Sequence, residues 1–267
     1  REGRYRSQGS FGHPILAGAF GAIMLPLFAY QYRQKKVGKT YAIAGLLSTA
    51  TMVYAASSSG PIFAYAAAIL ALFMFNFRKY MRMVRWIVLI GAISLHLYMK
   101  APIWALIGRV SVVGGSTSYH RFTLVDQFIR RIDEWWLVGT KSTAHWSEYI
   151  ATWDMANEYV YTGVRGGLFS LILFFTLIVA CFSQLGIGMK KLGQTSDSIF
   201  IFWAVGSMLF THMMAFMGVS YFGQIYLMWL MTIVFAATLS DMTRNIAGTT
   251  QNGEAAILKE RQLQPST

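Results

Sequence analysis

Five arginines, Arg4, Arg6, Arg109, Arg121 and Arg165, fall in the polar stretches that precede two of the chain's apolar runs. A guanidinium stays charged and forks onto phosphate oxygens through paired N–H donors, so convergent arginines suit a diphosphate. If that diphosphate leaves in a displacement, the same cations stabilise the charge that develops on it. Taken singly, each arginine also reads as an anchor that snorkels to a membrane interface. His13, His120 and His145 share these stretches and are candidates for proton transfer where geometry allows. Asp154 and Asn157 close the second stretch. Packing accounts for them less readily than for the apolar residues beside them.

The interval from Gly108 to Arg165 must position most of these groups. It holds six acidic residues, two of the five His and four of the eight Trp, between segments that otherwise read as membrane. Loops of such length in compact proteins are functional or disordered, and helical periodicity argues against disorder here. Phe122, Val125, Phe128, Ile129, Ile132, Trp135 and Trp136 recur at three- and four-residue steps. Asp126, Arg130, Asp133 and Glu134 take the opposite face. Such a helix suits the headgroup region, with the Trp pair at the interface. A second stripe, Trp146, Tyr149, Ile150 and Trp153, has the same spacing. Packing alone is an equal reading of both stripes.

Composition fixes the class. Hydrophobic residues make up 55% of the chain and charged residues 13%, with a mean hydropathy of +0.44. That is a membrane protein's balance. The net charge of +12 invites a nucleic-acid reading, but its placement argues otherwise. Arg33, Lys35, Lys36 and Lys39 lie in one short interval, and Arg78, Lys79, Arg82 and Arg85 in another, without an acid in either. Short cytoplasmic loops carry that excess, so nucleic acid is not an expected partner. Apolar runs near the ~20 residues needed to cross a bilayer are expected at 15–32, 40–56, 62–77, 86–98, 166–187, 198–216 and 224–240. Pro26 is expected to kink the first. The basic intervals 33–39 and 78–85, the loop 189–197 and the tail then share one side. The segment before Pro14, the turn at Ser57-Ser58-Ser59-Gly60-Pro61, the long loop and the turn 218–223 share the other. The tail from Asp241 is polar and reads as mobile, with at most a short helix over 254–263. A start at Arg1 within a basic stretch, with no signal peptide, suggests the C-terminal portion of a longer membrane protein.

Motifs for other chemistries are missing from the sequence. It holds no Gly-x-x-x-x-Gly-Lys, no His-Glu-x-x-His, and no Cys or His cluster at metal spacing. His96 and His212, in separate spans, read as satisfied polar residues before they read as haem ligands. Cys181 is alone and reads as a small core residue.

Four stretches together resemble the O-antigen ligase and polymerase family of bacterial polysaccharide membrane proteins, most of all its exopolysaccharide-polymerase-like members. They are Arg4 to Pro14 (RYRSQGSFGHP), Ser57-Ser58-Ser59-Gly60, Gly108-Arg109 with Tyr119-His120-Arg121 and Trp135 to Thr140, and Asp154 to Leu168. The resemblance covers about residues 1–185. It implies an inner-membrane enzyme of the C-type glycosyltransferase class. Such enzymes move a glycan from undecaprenyl diphosphate to an acceptor on the periplasmic face, without nucleotide or metal. The family's diphosphate-binding arginines would map to Arg4 or Arg6 and to Arg121. Many members carry His-Asn where this chain has Ala156-Asn157, and the ligases use a His in that loop as base. Asp154, Glu158 or His145 stand as substitutes, and a polymerase reading survives the departure better than a ligase reading.

The expectation is therefore an all-α polytopic transmembrane bundle in the bacterial inner membrane. Its segments are a loop end at 1–13, spans within 14–107, a periplasmic catalytic loop at 108–165, spans within 166–240 and a cytoplasmic tail at 241–267. Arg4, Arg6 and Arg121 would bind diphosphate. Asp154, Glu158 or His145 would act as base, and Asn157, Arg109 and His120 would orient sugar or loop. No cofactor is expected; the partners are the lipid-linked glycan, membrane lipids and polysaccharide assembly proteins. A flippase for the same lipid is the rival reading, and a non-catalytic membrane scaffold the third. A transporter should place ionisable residues at mid-membrane, whereas these span interiors hold His96 and His212 and almost no charge.

Overall fold

The computed structural model describes residues 6–34, 38–106, 117–148, 152, 154–192 and 198–242. Arg4, Arg109, Tyr149, Ile150, Trp153 and the 254–263 segment fall outside them. The described chain is all-helical. In order, it has α1 (Pro14–Arg33), α2 (Lys39–Ala55), α3 (Ser59–Phe73), a 3-10 run (Met74–Tyr80), α4 (Met81–Tyr98) and a short 3-10 turn (Ile103–Ala105). Then come α5 (Thr117–Arg130), α6 (Ile132–Trp135), a 3-10 turn (Ala144–Trp146), α7 (Glu158–Lys191), α8 (Ile199–Phe216) and α9 (Gln224–Met242).

Five helical runs are long and apolar enough to cross a membrane: Pro14–Arg33, Ser59–Tyr98, Glu158–Lys191, Ile199–Phe216 and Gln224–Met242. That fits a multi-pass membrane protein. The count differs from the seven runs in the sequence for two local reasons. Helix α2 has 17 residues, just short of a full crossing. Residues 78–85, expected as a loop, are helical instead, so two apolar runs join into one of 40 residues. Between Met74 and Arg85 there is no Gly or Pro to break it, and Arg, Lys and Met favour helix.

The core gathers α1, α2, α3, α7, α8 and α9 around Leu16, Ile23, Val53, Ala64, Leu185, Met208, Phe216 and Trp229. Backbone contact is close because the chain places glycine there. A Cβ at Gly18 of α1 would lie 2.6 Å from that of Ala56 and 2.7 Å from Pro61. Small residues permit such approach where dispersion, rather than water exclusion, holds helices together. At one end Trp203 donates to the Ala71 carbonyl at 2.7 Å, tying α8 to α3. Helix α4 stands apart, with none of its residues buried among the described chain.

Candidate functional site

The four segments expected to share one side do meet at one end of the bundle. The Ser7 N–H donates to the Ala55 carbonyl, and Arg6 Nε donates to the Ala56 carbonyl at 2.9 Å. Gln224 reaches back to the Ser10 carbonyl at 2.9 Å. Arg121, on α5, bridges the other two segments: it donates to Ser59 Oγ at 3.4 Å and to the Gly218 carbonyl at 3.3 Å. Ala56 and Ser59 are three residues apart, so the anchoring points of Arg6 and Arg121 lie within about 10 Å along the chain.

Arg121 has unusual surroundings for a cation. It is 6% exposed, its hydrogen-bond partners among the described residues are neutral oxygens, and its Nε is buried without an acceptor there. No carboxylate among the described residues pairs with it. Burial pushes its guanidinium below the ordinary arginine range. A buried unpaired charge is costly, and an anion would offset that cost directly. Gly60 and Gly218 leave room beside it: a Cβ on either would lie 3.4 or 3.5 Å from Nη2. The turn holding this geometry is strained, with Ser57 at φ 43°.

A second group forms around His13. Its Nδ1 accepts from the Ile15 N–H at 3.1 Å and caps α1. Burial lowers its imidazole below the usual histidine value, the Arg6 charge pushes the same way, and Asp154 pulls it back up. His13, Arg6 and the exposed Asp154 thus share one electrostatic neighbourhood. Of the three base candidates, Asp154 is the one whose charge acts on His13.

The other candidates are held elsewhere. Glu158 is 2% exposed, and its Oε2 accepts from the Tyr221 N–H at 2.7 Å, fixing the 217–223 turn. Asn157 caps α7: its Oδ1 accepts from the Tyr159 and Val160 N–H groups, and its Nδ2 donates to the Met217 carbonyl. Its amide orients the loop. His120 is partly buried on the first turns of α5. Arg165 is exposed and lies over the Tyr161 ring at 5.0 Å.

His145 joins a hub that the sequence reading missed. Glu134 accepts from Arg131 Nη1, from His145 Nε2 and from Trp146 Nε1, each at 2.8 Å. Burial pushes the Glu134 carboxyl up, but those hydrogen bonds and the His145 charge outweigh it and hold it down at about 2. The hub packs behind Trp135, which stacks on Phe128 with ring centroids 3.9 Å apart. Trp135 is 2% exposed and Trp136 50%, so the expected interfacial Trp pair is split between core and surface. On α5 Arg121, Leu124 and Phe128 are buried, and so is Asp126, expected on the polar face, which accepts from Trp104 Nε1 and Arg130 Nε; Phe122 is partly buried and Ile129 exposed. The second stripe's expected helix is absent where described: Trp146 closes a 3-10 turn and Ser147 is extended. Thr143 and Thr152 exchange side-chain hydrogen bonds with each other's carbonyls and close this segment.

The loop enters α7 itself. At Gly167 the helix breaks, with φ 73° and ψ −174°. The Val164 carbonyl accepts from the Thr140 N–H at 2.7 Å, and the Leu168 N–H donates to the Trp136 carbonyl at 2.8 Å. In an unbroken helix those two groups would bond each other. Segment 136–140 is spliced between them.

Deep in the bundle His212, fully buried, bonds Tyr221 Oη at 2.9 Å and Thr232 Oγ1 at 3.1 Å. Among the described residues no three His, Cys, Asp or Glu side chains gather as a metal site. The signal for Ser59 and Gly60 was in the sequence, whereas Gly218 read only as a turn on the correct side.

No protein-family model matches the chain. No curated protein matches it at a significant level either.

Proposed function

We propose that the protein transfers a glycan from a polyprenyl diphosphate, in bacteria undecaprenyl diphosphate, to an acceptor hydroxyl at the periplasmic face of the inner membrane. The observation that carries this reading is the buried Arg121 guanidinium, with no carboxylate partner among the described residues and with an orphaned Nε, on the same junction as Arg6. In this reading α2 crosses and the Ser59–Tyr98 run doubles back at its Met74–Tyr80 3-10 stretch so that each half crosses, giving seven spans with α5 and α6 outside. The acceptor oxygen attacks the anomeric carbon as the bond to the diphosphate oxygen breaks. Arg121 and Arg6 hold the departing diphosphate, and Asp154 takes the acceptor's proton. Cations already in place cost no reorganisation as charge develops.

The rival reading, a flippase, draws support from the broken α7, since transporters use interrupted helices at their sites. The break here is closed by the protein's own loop rather than left to line a path, which favours surface chemistry. The deciding experiment incubates membranes carrying the full chain with lipid-linked oligosaccharide. Chain growth or transfer to a second acceptor supports the proposal, and translocation without a new glycosidic bond overturns it. Arg121→Ala, expressed at normal levels, is expected to yield no product.

A further inference from the structure

Among the described residues of the loop, 136–138 form the most exposed apolar stretch: Trp136 at 50%, Leu137 at 66% and Val138 at 77%. They follow the buried Trp135 and sit on the splice, so their height is fixed against α7. The Trp136 carbonyl holds the Leu168 N–H, and a Cβ on Gly167 would lie 2.5 Å from the Leu137 carbonyl oxygen. Directly below, α7 exposes Phe169, Ile172 and Leu173. The apolar surface of the loop is therefore continuous with the apolar surface of a helix long enough to cross a bilayer.

The depth follows from helix geometry. Residues 168–191 form an uninterrupted helical segment ending in Lys190 and Lys191. At about 1.5 Å per residue it rises roughly 36 Å, against a hydrocarbon core of about 30 Å. With the two lysines at the far headgroups, Gly167 comes level with the near edge of the acyl chains. An indole belongs at that level, and Arg130, Arg131 and Lys141 flank the stretch where headgroups lie.

We infer that residues 136–138 dip into the outer leaflet and bind acyl chains, so that the outer loop is pinned to the membrane as well as to α7. The splice and the insertion require each other. Where water is scarce, an open Val164 carbonyl or Leu168 N–H would be left unsatisfied at a heavy desolvation cost. The same segment that enters the lipid supplies their partners. The inference stands apart from the glycosyl-transfer reading, since it concerns only where the loop lies.

The test uses the full chain in phosphatidylethanolamine–phosphatidylglycerol vesicles, with Leu137→Cys in a Cys181→Ala background carrying an environment-sensitive fluorophore. Spin labels at carbon 5 of the acyl chain are expected to quench most of the emission, labels at carbon 12 less, and aqueous iodide almost none. The same probe at Lys141→Cys should reverse that order. Iodide quenching at position 137 overturns the inference. Shielding from every quencher also overturns it, because a protein partner then covers the site. Should the labelled variant misfold, intrinsic fluorescence gives the same answer: brominated lipid should quench the native chain more than Trp136→Phe. Equal quenching overturns the inference.

Discussion

Both ends of this bundle are rich in arginine, yet the two ends use the residue in opposite ways. At the end bearing α1's C-terminus, Arg33 lies 4.8 Å from the Phe200 ring centroid and 5.2 Å from that of Phe75, and Arg78 lies 4.5 Å from Phe75. Those contacts use the face of the guanidinium and leave Arg33 exposed. Lys79, Arg82 and Arg85 stand exposed beside them. At the other end Arg121 is enclosed and, among the described residues, meets only neutral oxygens and retains a bare N–H. The first arrangement suits a charge that faces headgroups. The second suits a charge waiting for an anion. Sequence alone cannot separate them, because the distinction lies in burial and partners, not in residue type.

The sharpest test pairs Arg121→Ala with Arg33→Ala in the glycosyl-transfer assay. Loss of one donor to a developing anion costs about 100-fold or more in rate, so Arg121→Ala should drop product by at least that factor. Arg33→Ala should stay within about twofold, because an exposed cation–π contact contributes only ~1 kcal/mol and touches no substrate. Arg121→Lys should recover little, since an ammonium cannot reproduce the fork. Equal losses at both ends would erase the contrast.

Next in size is a pair of glycines on one helix. Gly167 has φ 73°, and a Cβ there would meet the Leu137 carbonyl at 2.5 Å; Gly186 meets nothing within 4 Å. Gly167→Ala should destabilise the loop by about 3 kcal/mol through strain and clash. Gly186→Ala should be neutral or stabilising by up to about 1 kcal/mol, as alanine favours helix. Limited proteolysis within 141–151 reads the first effect, and thermal melting in detergent reads both.

The same contrast shows what was legible beforehand. Apolar runs of the right length announced the helices, because spanning a bilayer forces a continuous hydrophobic stretch. Charge placement grouped the segments that meet at Arg121, since cationic loops sort to one side. Lacking a breaker, 78–85 could not be told from a loop by its charges, as Arg and Lys are common in both. Trp135 and Trp136 looked alike in sequence and separated only through the Phe128 stack and the splice at Gly167. By spacing Glu134 falls simply on the face opposite the apolar stripe, and two of its three donors come from residues 11 and 12 positions away. Contacts of that kind belong to the loop's tertiary path, which periodicity does not encode.

Glu134 gives a smaller, pH-dependent handle on the loop that carries α5 and α6. Its carboxyl is held at about 2, below the ordinary 4.5, so the folded state favours the ionised form. That contribution is fully present above pH 4.5 and fades as pH falls towards 2. The side chain is partly exposed, so solvent screening reduces the effect to about 1 kcal/mol. Glu134→Gln should lower the melting temperature at pH 7 and match the native chain near pH 2. A gap that persists at pH 2 would assign the loss to packing instead.

The smallest effect concerns His13, where the titrating atom and the capping atom are the same. Nδ1 accepts the Ile15 N–H only while it is unprotonated, so the cap requires a neutral ring. Burial and Arg6 lower the folded-state pKa below 6.5 against the pull of Asp154. The unfolded chain then binds the proton more readily than the folded one. Stability is full above pH 6.5 and declines as pH falls towards the lowered folded value. Losing such a cap costs about 1 kcal/mol, so His13→Ala should melt lower than the native chain at pH 8. His13→Asn keeps an oxygen acceptor that does not titrate, and should match the native chain at pH 8 while holding its stability at pH 5. If His13→Asn loses stability with acid as steeply as the native chain does, the pH dependence arises elsewhere and the cap is not its source.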